Sequence, residues 1–191
     1  MPPRARALPA PDGARLAALH DGVCAWFATA GRELPWRDPS CSPWGVLVSE
    51  VMAQQTPLAR VEPVWREWMR RWPAPAALAA AAPGDAVRAW GRLGYPRRAL
   101  RLREAAVVMV QRHGGEVPSS HDELLSLPGV GAYTAAAVAC FAFAEPEVVV
   151  DTNVRRVLAR AVVGQALPAP SLTRAESQLA AACQPEERSQ A

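Results

Sequence analysis

The stretch SLPGVGAYTAAAV, Ser126–Val138, constrains the fold more than any other. A helical pattern is cut by Pro128, Gly129 and Gly131 and resumes at once in a run of small residues. Proline stops a helix and glycine adopts turn geometries closed to other residues, so two helices must meet here at a sharp corner. The corner predicts helices near His121–Ser126 and Ala132–Ala144. The turn and the new helix start then point backbone N–H groups outward together, a donor set that suits a phosphate. An ordinary helix–turn–helix corner needs glycine too. L-P-G-V-G ahead of a small-residue helix is the more specific pattern, and it favours a backbone grip on phosphate through Gly129, Val130 and Gly131.

The same punctuation runs from end to end. Apolar-periodic segments bounded by Pro or Gly predict helices near Gly13–Ala30, Pro43–Thr56, Pro57–Trp72, Ala76–Ala82 and Asp85–Leu93. Further helices are predicted near Arg97–His113, Thr152–Val163 and Leu172–Cys183. Pro43 after Ser42 and Pro57 after Thr56 read as cap-then-proline starts, with Asp85 after Gly84 in a similar role. Glu147–Val150 is strand-like but too short and too alone to build a sheet. The fold class is all-α. Trp65, Trp68 and Trp72 follow helical spacing and are expected in the core. At 191 residues, half of them hydrophobic, the chain can form one sizeable domain or two small ones sharing a cleft.

Charge is compatible with a polyanionic partner without demanding one: the net value is +3. All 21 basic residues are arginine, and no lysine occurs anywhere. Cys24, Cys41, Cys140 and Cys183 are scattered, with no pair at the short spacing of a zinc or redox site. No apolar run reaches membrane-spanning length and the start lacks a signal-peptide pattern, so a reducing cytoplasm is expected.

Two carboxylates stand out. In WGVLVSEVMAQQT, Glu50 shares a helix face with Val46, Leu47 and Ala53. A carboxylate there loses hydration, which favours its protonated form and suits a general acid; a partly exposed Glu at the edge of a core helix is the plainer alternative. In EVVVDTNVRRVLARA, Asp151 opens a helix, so its plain role is an N-cap. The helix dipole stabilises the anion at that place, and a fixed anion can also face developing positive charge. A neutral acid and a fixed carboxylate suit departure of a leaving group with stabilisation of an oxocarbenium-like sugar. Arg97, Arg98, Arg101 and Arg103 form a basic run, read equally well as a solvated face or as phosphate contacts.

LPW with Arg37, SEVMAQQT, GRLGYPRRA, HGGEVP, LPGVGAYTA and VDTNVRRVLAR occur in this order. Together they resemble the MutY branch of the helix-hairpin-helix DNA glycosylases over roughly residues 34–160. The resemblance implies a six-helix barrel lobe over residues 31–144, with the hairpin at about 121–138. It implies a second helical lobe from residues 1–30 and 145–191, with the substrate cleft between lobes. It further implies double-stranded DNA as partner and hydrolytic removal of a flipped-out adenine mispaired with 8-oxoguanine or guanine. A glycosylase for another mismatch, such as thymine opposite guanine, and an inert DNA-binding fragment are the alternatives.

By the same resemblance, Glu50 protonates the departing adenine and Asp151 stabilises the sugar cation, with Asn153 a nearby amide and Tyr133 supporting Asp151. Gln55, Thr56, Leu93 and Tyr95 match residues that wedge into the duplex and contact the lesion. Trp36 and Arg37 match the wall of the adenine pocket. The backbone of Leu125, Leu127 and Val130 matches a monovalent-cation site against a DNA phosphate. Where the endonuclease III branch has a Schiff-base lysine, this chain has Tyr133, and no lysine can deputise. A monofunctional, monomeric, nucleoid-associated enzyme is implied.

The sequence departs from the family toward its end. Relatives carry four cysteines spaced C-x6-C-x2-C-x5-C that hold a [4Fe–4S] cluster, and no cysteine of this chain falls in that pattern. A truncated form with an incomplete second lobe is therefore expected, leaving Val157, Leu158 and Val162 poorly covered. Ala53 also stands where a larger apolar residue is common.

Overall fold

The computed structural model describes residues 12–184, and every regular element in it is helical. The chain divides into two units. One is Glu33–Glu147; the other combines the described parts of Met1–Arg32 and Val148–Ala191.

In order, the helices are α1 Gly13–Ala30, α2 Pro43–Ala53, α3 Leu58–Arg71, α4 Pro75–Ala80 and α5 Pro83–Trp90. They continue with α6 Arg97–Arg112, α7 His121–Leu125, α8 Ala132–Phe143, α9 Thr152–Leu158 and α10 Arg174–Ala182. A single 3-10 turn covers Pro35–Arg37. No strand occurs among the described residues, and Glu147–Val150 is extended without strand pairing.

Within Glu33–Glu147 the central element is α2. Its Ser42 hydroxyl accepts from the Gly45 N–H and Pro43 sits in the first turn, the start the sequence predicts. Residues Trp44–Ser49, Val51 and Met52 are all buried, so the helix is apolar around most of its circumference and packs on α3, α6 and α8. Alanines 135, 136, 137 and 139 on α8 are buried, small enough to let the two helices approach closely. Trp65, Trp68 and Trp72 lie in this core as expected, with Trp68 edge-on to both Trp72 and Trp90.

Several helix limits differ from the sequence expectation. Helix α5 begins at Pro83, so Asp85 lies inside the first turn rather than opening it; proline fits that first position because its missing N–H would be unpaired anyway. Helix α3 begins after Pro57 without a side-chain cap, and the Thr56 hydroxyl is engaged elsewhere. The predicted Thr152–Val163 helix changes pitch: α9 ends at Leu158 and a widened π-type turn covers Ala159–Val163.

In the unit that contains α9, the expected poor coverage holds for one residue and fails for another. Val157 is 48% exposed. Leu158 instead packs with Leu179, Ala180 and Cys183, because α10 lies against α9. Helix α10 starts two residues later than predicted, with Thr173 and Glu176 forming a reciprocal capping box.

Candidate functional site

The hairpin is fixed by the three apolar residues Leu124, Leu127 and Val130, all buried in the core of Glu33–Glu147. Their burial turns the polar backbone of the corner toward the surface, where Gly129 and Gly131 are exposed. Gly129 has φ +80°, and a Cβ there would stand 2.6 Å from the Arg101 Cβ of α6. Both its dihedral and its contact therefore require glycine. Gly131 caps α8 without offering a side-chain acceptor, and nothing crowds its Cα, so the first turn of α8 opens onto the surface. Tyr133 sits in that turn, 39% exposed. Among the predicted cation-holding carbonyls, Leu127 O already accepts the Val130 N–H at 3.2 Å, which leaves it one lone pair.

Glu50 lies in the last turns of α2, half-buried beside Val46 and Leu47. Past it, α2 stops at Ala53 instead of running to Thr56. Gln54 Nε2 donates to Thr134 Oγ1 at 3.2 Å, joining the end of α2 to the start of α8. Gln55 takes φ +54°. Tyr95, in the turn between α5 and α6, takes φ +48°. Such values cost a non-glycine residue about 1–2 kcal/mol each and persist only where the surroundings enforce them.

Four residues match the wedge by resemblance, and the structure separates them. Gln55 and Tyr95 are exposed, Tyr95 at 65%. Thr56 and Leu93 are buried, at 7% and 6%. The expectation is corrected for this second pair: their side chains hold the turns from within and do not project. Leu93 packs in the core, and Thr56 Oγ1 lies 3.1 Å from Gln54 O and 3.3 Å from Leu93 O. The apolar surface of that turn belongs to Tyr95. Trp36 is half-buried and meets Trp65 edge-on at 5.7 Å, with Arg37 exposed beside it.

In the other unit, Asp151 is the N-cap of α9. Its Oδ1 accepts the Val154 N–H at 2.7 Å and its Oδ2 accepts from Asn153 Nδ2 at 3.0 Å, so both oxygens are oriented. The resemblance implies that Asn153 is a nearby amide, and in the structure it donates to Asp151. One turn further, Arg155 was not singled out. It donates to both Glu176 oxygens at 3.0 Å, to Ala169 O at 2.7 Å and to Ser171 O at 2.8 Å, tying α9 to the loop and helix that follow. The Thr173-x-x-Glu176 spacing was the signal for half of this arrangement.

For a metal cluster, the described residues offer no fit. No three His, Cys, Asp or Glu side chains converge among them, and the cysteines divide between the units, Cys24 and Cys183 in one and Cys41 and Cys140 in the other. No helix among the described residues is long and apolar enough to cross a membrane.

Residues 48–182 match the family described as HhH-GPD superfamily base excision DNA repair protein. The chain is similar to the adenine DNA glycosylase of Mycobacterium tuberculosis, 57% identical over 153 residues, covering 80% of this chain and 50% of that protein. It thus spans about half the length of that relative. Among solved structures it resembles a thermostable thymine-DNA glycosylase, with TM-score 0.80, 26% identity, and coverage of 90% and 79% of the two chains. It also resembles endonuclease III in a non-covalent complex with DNA, with TM-score 0.67, 27% identity, and coverage of 77% and 67%.

Proposed function

This chain belongs to the HhH-GPD superfamily of base excision DNA repair proteins, and from that premise we propose that it is a monofunctional glycosylase removing adenine mispaired with 8-oxoguanine or guanine. The observation that carries the adenine assignment is the 57% identity to a mycobacterial adenine DNA glycosylase, against 36% over a similar span of a thymine/uracil-DNA glycosylase of Pyrobaculum aerophilum.

In this reading, double-stranded DNA is gripped through the hairpin backbone at Gly129, Val130 and Gly131, with a monovalent cation held by the carbonyls of Leu125, Leu127 and Val130. Tyr95 and Gln55 enter the duplex where the adenine leaves the stack, and Trp36 and Arg37 flank the flipped base. Glu50 donates a proton to the departing adenine. As the glycosidic bond breaks, positive charge grows on the sugar. Asp151, oriented by the Val154 N–H and by Asn153, stabilises that charge until water adds. The described residues fit no iron–sulfur cluster, and none enters these steps. Because no lysine occurs in the chain, no lysine imine can form and the product is an intact abasic strand.

The test uses the full chain with duplexes carrying A·8-oxoG, A·G and T·G. Adenine release from the first two, with strand breakage only after alkali, is the expected result. Preferential release from T·G would assign the thymine reading instead. Glu50→Gln should slow release by about 10²–10⁴-fold. Asp151→Asn should slow it by about 10³-fold or more while sparing DNA binding, because asparagine keeps the cap and loses the charge. Salt-sensitive binding with no release at any enzyme concentration would leave an inert DNA-binding protein.

A further inference from the structure

Arg98 stands second in α6, inside the run that sequence reading divides between solvent and phosphate. The structure gives it neither role. Its guanidinium turns inward between two turns that are far apart in sequence. Nη1 donates to Val51 O at 3.0 Å and Gln54 O at 2.5 Å, at the end of α2. Nη2 reaches Thr56 Oγ1 at 3.2 Å, Leu93 O at 3.3 Å and Gly94 O at 3.2 Å. The cation therefore sits where the last carbonyls of α2 lack helical partners and where the helix dipole is negative. Its Cζ lies 5.3 Å from the centre of the Trp90 ring and 5.5 Å from that of the Tyr95 ring. Burial pushes its pKa below the ordinary arginine value, and its buried Nε has no hydrogen-bond partner. A charge is being held at a cost, so what it holds is informative.

What it holds is the pair of strained residues. Gln55 lies between the Gln54 and Thr56 contacts, and Tyr95 follows the Leu93 and Gly94 contacts directly. Both have positive φ and both face solvent. The second turn has further supports: Trp90 Nε1 donates to Gly94 O at 2.8 Å, and an Arg60 guanidinium N–H donates to Arg92 O. Arg98 and Thr56 join the two turns to each other by hydrogen bonds. Two side chains that must enter a duplex together bind better if their spacing is set beforehand, since less freedom is lost on binding.

We propose that Arg98 is a positioning residue that locks the turns carrying Gln55 and Tyr95 into one preset two-pronged wedge, and so sets discrimination between mispaired and matched duplex. The proposal rests on the glycosylase reading above. It separates Arg98 from arginines that contact phosphate, because the guanidinium is already committed to carbonyls.

The experiment measures affinity for an A·8-oxoG duplex and for a fully matched duplex across a salt series, by fluorescence anisotropy, for the wild-type chain, Arg98→Lys, Arg98→Met and Thr56→Val. Lysine retains the charge but cannot bridge two turns at once. Arg98→Lys and Arg98→Met should each lower the preference for mispaired over matched DNA by about tenfold, leaving matched affinity and its salt slope unchanged. Thr56→Val, which removes the neutral link to Leu93 and one of the guanidinium's contacts but keeps the cation, should lower the preference by about threefold; it keeps the question decidable if Arg98→Met does not fold. In a Tyr95→Ala background, Arg98→Lys should cost little more, since the two act through one element. Full rescue by lysine, a shallower salt slope with preference intact, or additive losses in the double variant would each overturn the inference alone. A wild-type chain with neither adenine release nor preference for the mispair would overturn the glycosylase reading, and the inference with it.

Discussion

In Glu33–Glu147 order comes from packed aromatic mass: Trp44, Trp65, Trp68, Trp72 and Trp90 are buried, and the indoles of Trp44, Trp65 and Trp90 donate to backbone carbonyls. The unit holding Asp151 is organised differently. Its buried apolar cluster is Leu158, Leu179, Ala180 and Cys183, and α1 contributes no buried residue. There the chain is tied by polar geometry, through the Thr173–Glu176 capping box and the Arg155–Glu176 pair. A large core can enforce unfavourable backbone, and the strained Gln55 and Tyr95 stand on that side. A small core cannot, and the carboxylate on that side occupies an ordinary N-cap that asks for no strain.

The sharpest way to break this contrast is to cut each core. Trp68→Ala should cost about 4 kcal/mol, because a fully buried indole leaves a cavity between Trp72 and Trp90. Denaturant unfolding should show the loss across Glu33–Glu147, and hydrogen exchange should quicken in α2 and α8 together. Leu179→Ala should cost about 2 kcal/mol and quicken exchange only in α9 and α10. Equal losses spread over both units would mean that one core serves the whole chain.

Next in size is the ion pair. The Arg155 and Glu176 side chains are 11% and 14% exposed, so removing one partner leaves the other poorly solvated. Arg155→Met should cost about 3 kcal/mol, read as lost exchange protection in α9 and α10 with α2 and α8 unaffected. An exposed pair such as Arg66–Glu62 on α3 should by contrast cost about 0.5 kcal/mol or less. A comparable cost for the two pairs would remove the polar half of the contrast.

How far the sequence could be read follows the same division between local and distant causes. Helix α1 spans Gly13–Ala30 as predicted, and α2 and α8 start where Pro43 and Gly131 place them, because proline and glycine act on their own neighbourhood. The N-cap role of Asp151 was legible for the same reason, whereas Asn153 came near it only through the family resemblance. Pro83 as the start of α5 and the capping box before α10 were local too, and were overlooked. The end of α2 was not legible: Arg98, 44 residues away from Gln54, helps to fix the turn there. Nor was the inward aim of Thr56, whose hydroxyl meets a carbonyl 37 residues on. An exposed residue of a turn and a buried one that supports it look alike in sequence. Only burial separates Leu93 from Tyr95.

The smallest effect concerns acid. Burial alone would raise the Glu176 carboxyl, but the Thr173 N–H, the Arg155 guanidinium and the Thr173 hydroxyl outweigh it and hold the group below its ordinary value of 4.5. A carboxylate depressed in the folded state stabilises that state fully above its unfolded pKa, and the contribution fades as pH falls through the folded value. Between neutrality and about pH 5 the Asp151 unit should therefore keep constant exchange protection in α9 and α10, then lose it as pH drops below 4.5. Protection in α2 and α8 should persist to lower pH, since the buried indoles there do not titrate. Glu176→Gln should lower the plateau and flatten the acid limb in α9 and α10 alone. If the limb survives that substitution, another carboxylate controls the acid response, and the polar ties of this unit run through a different residue.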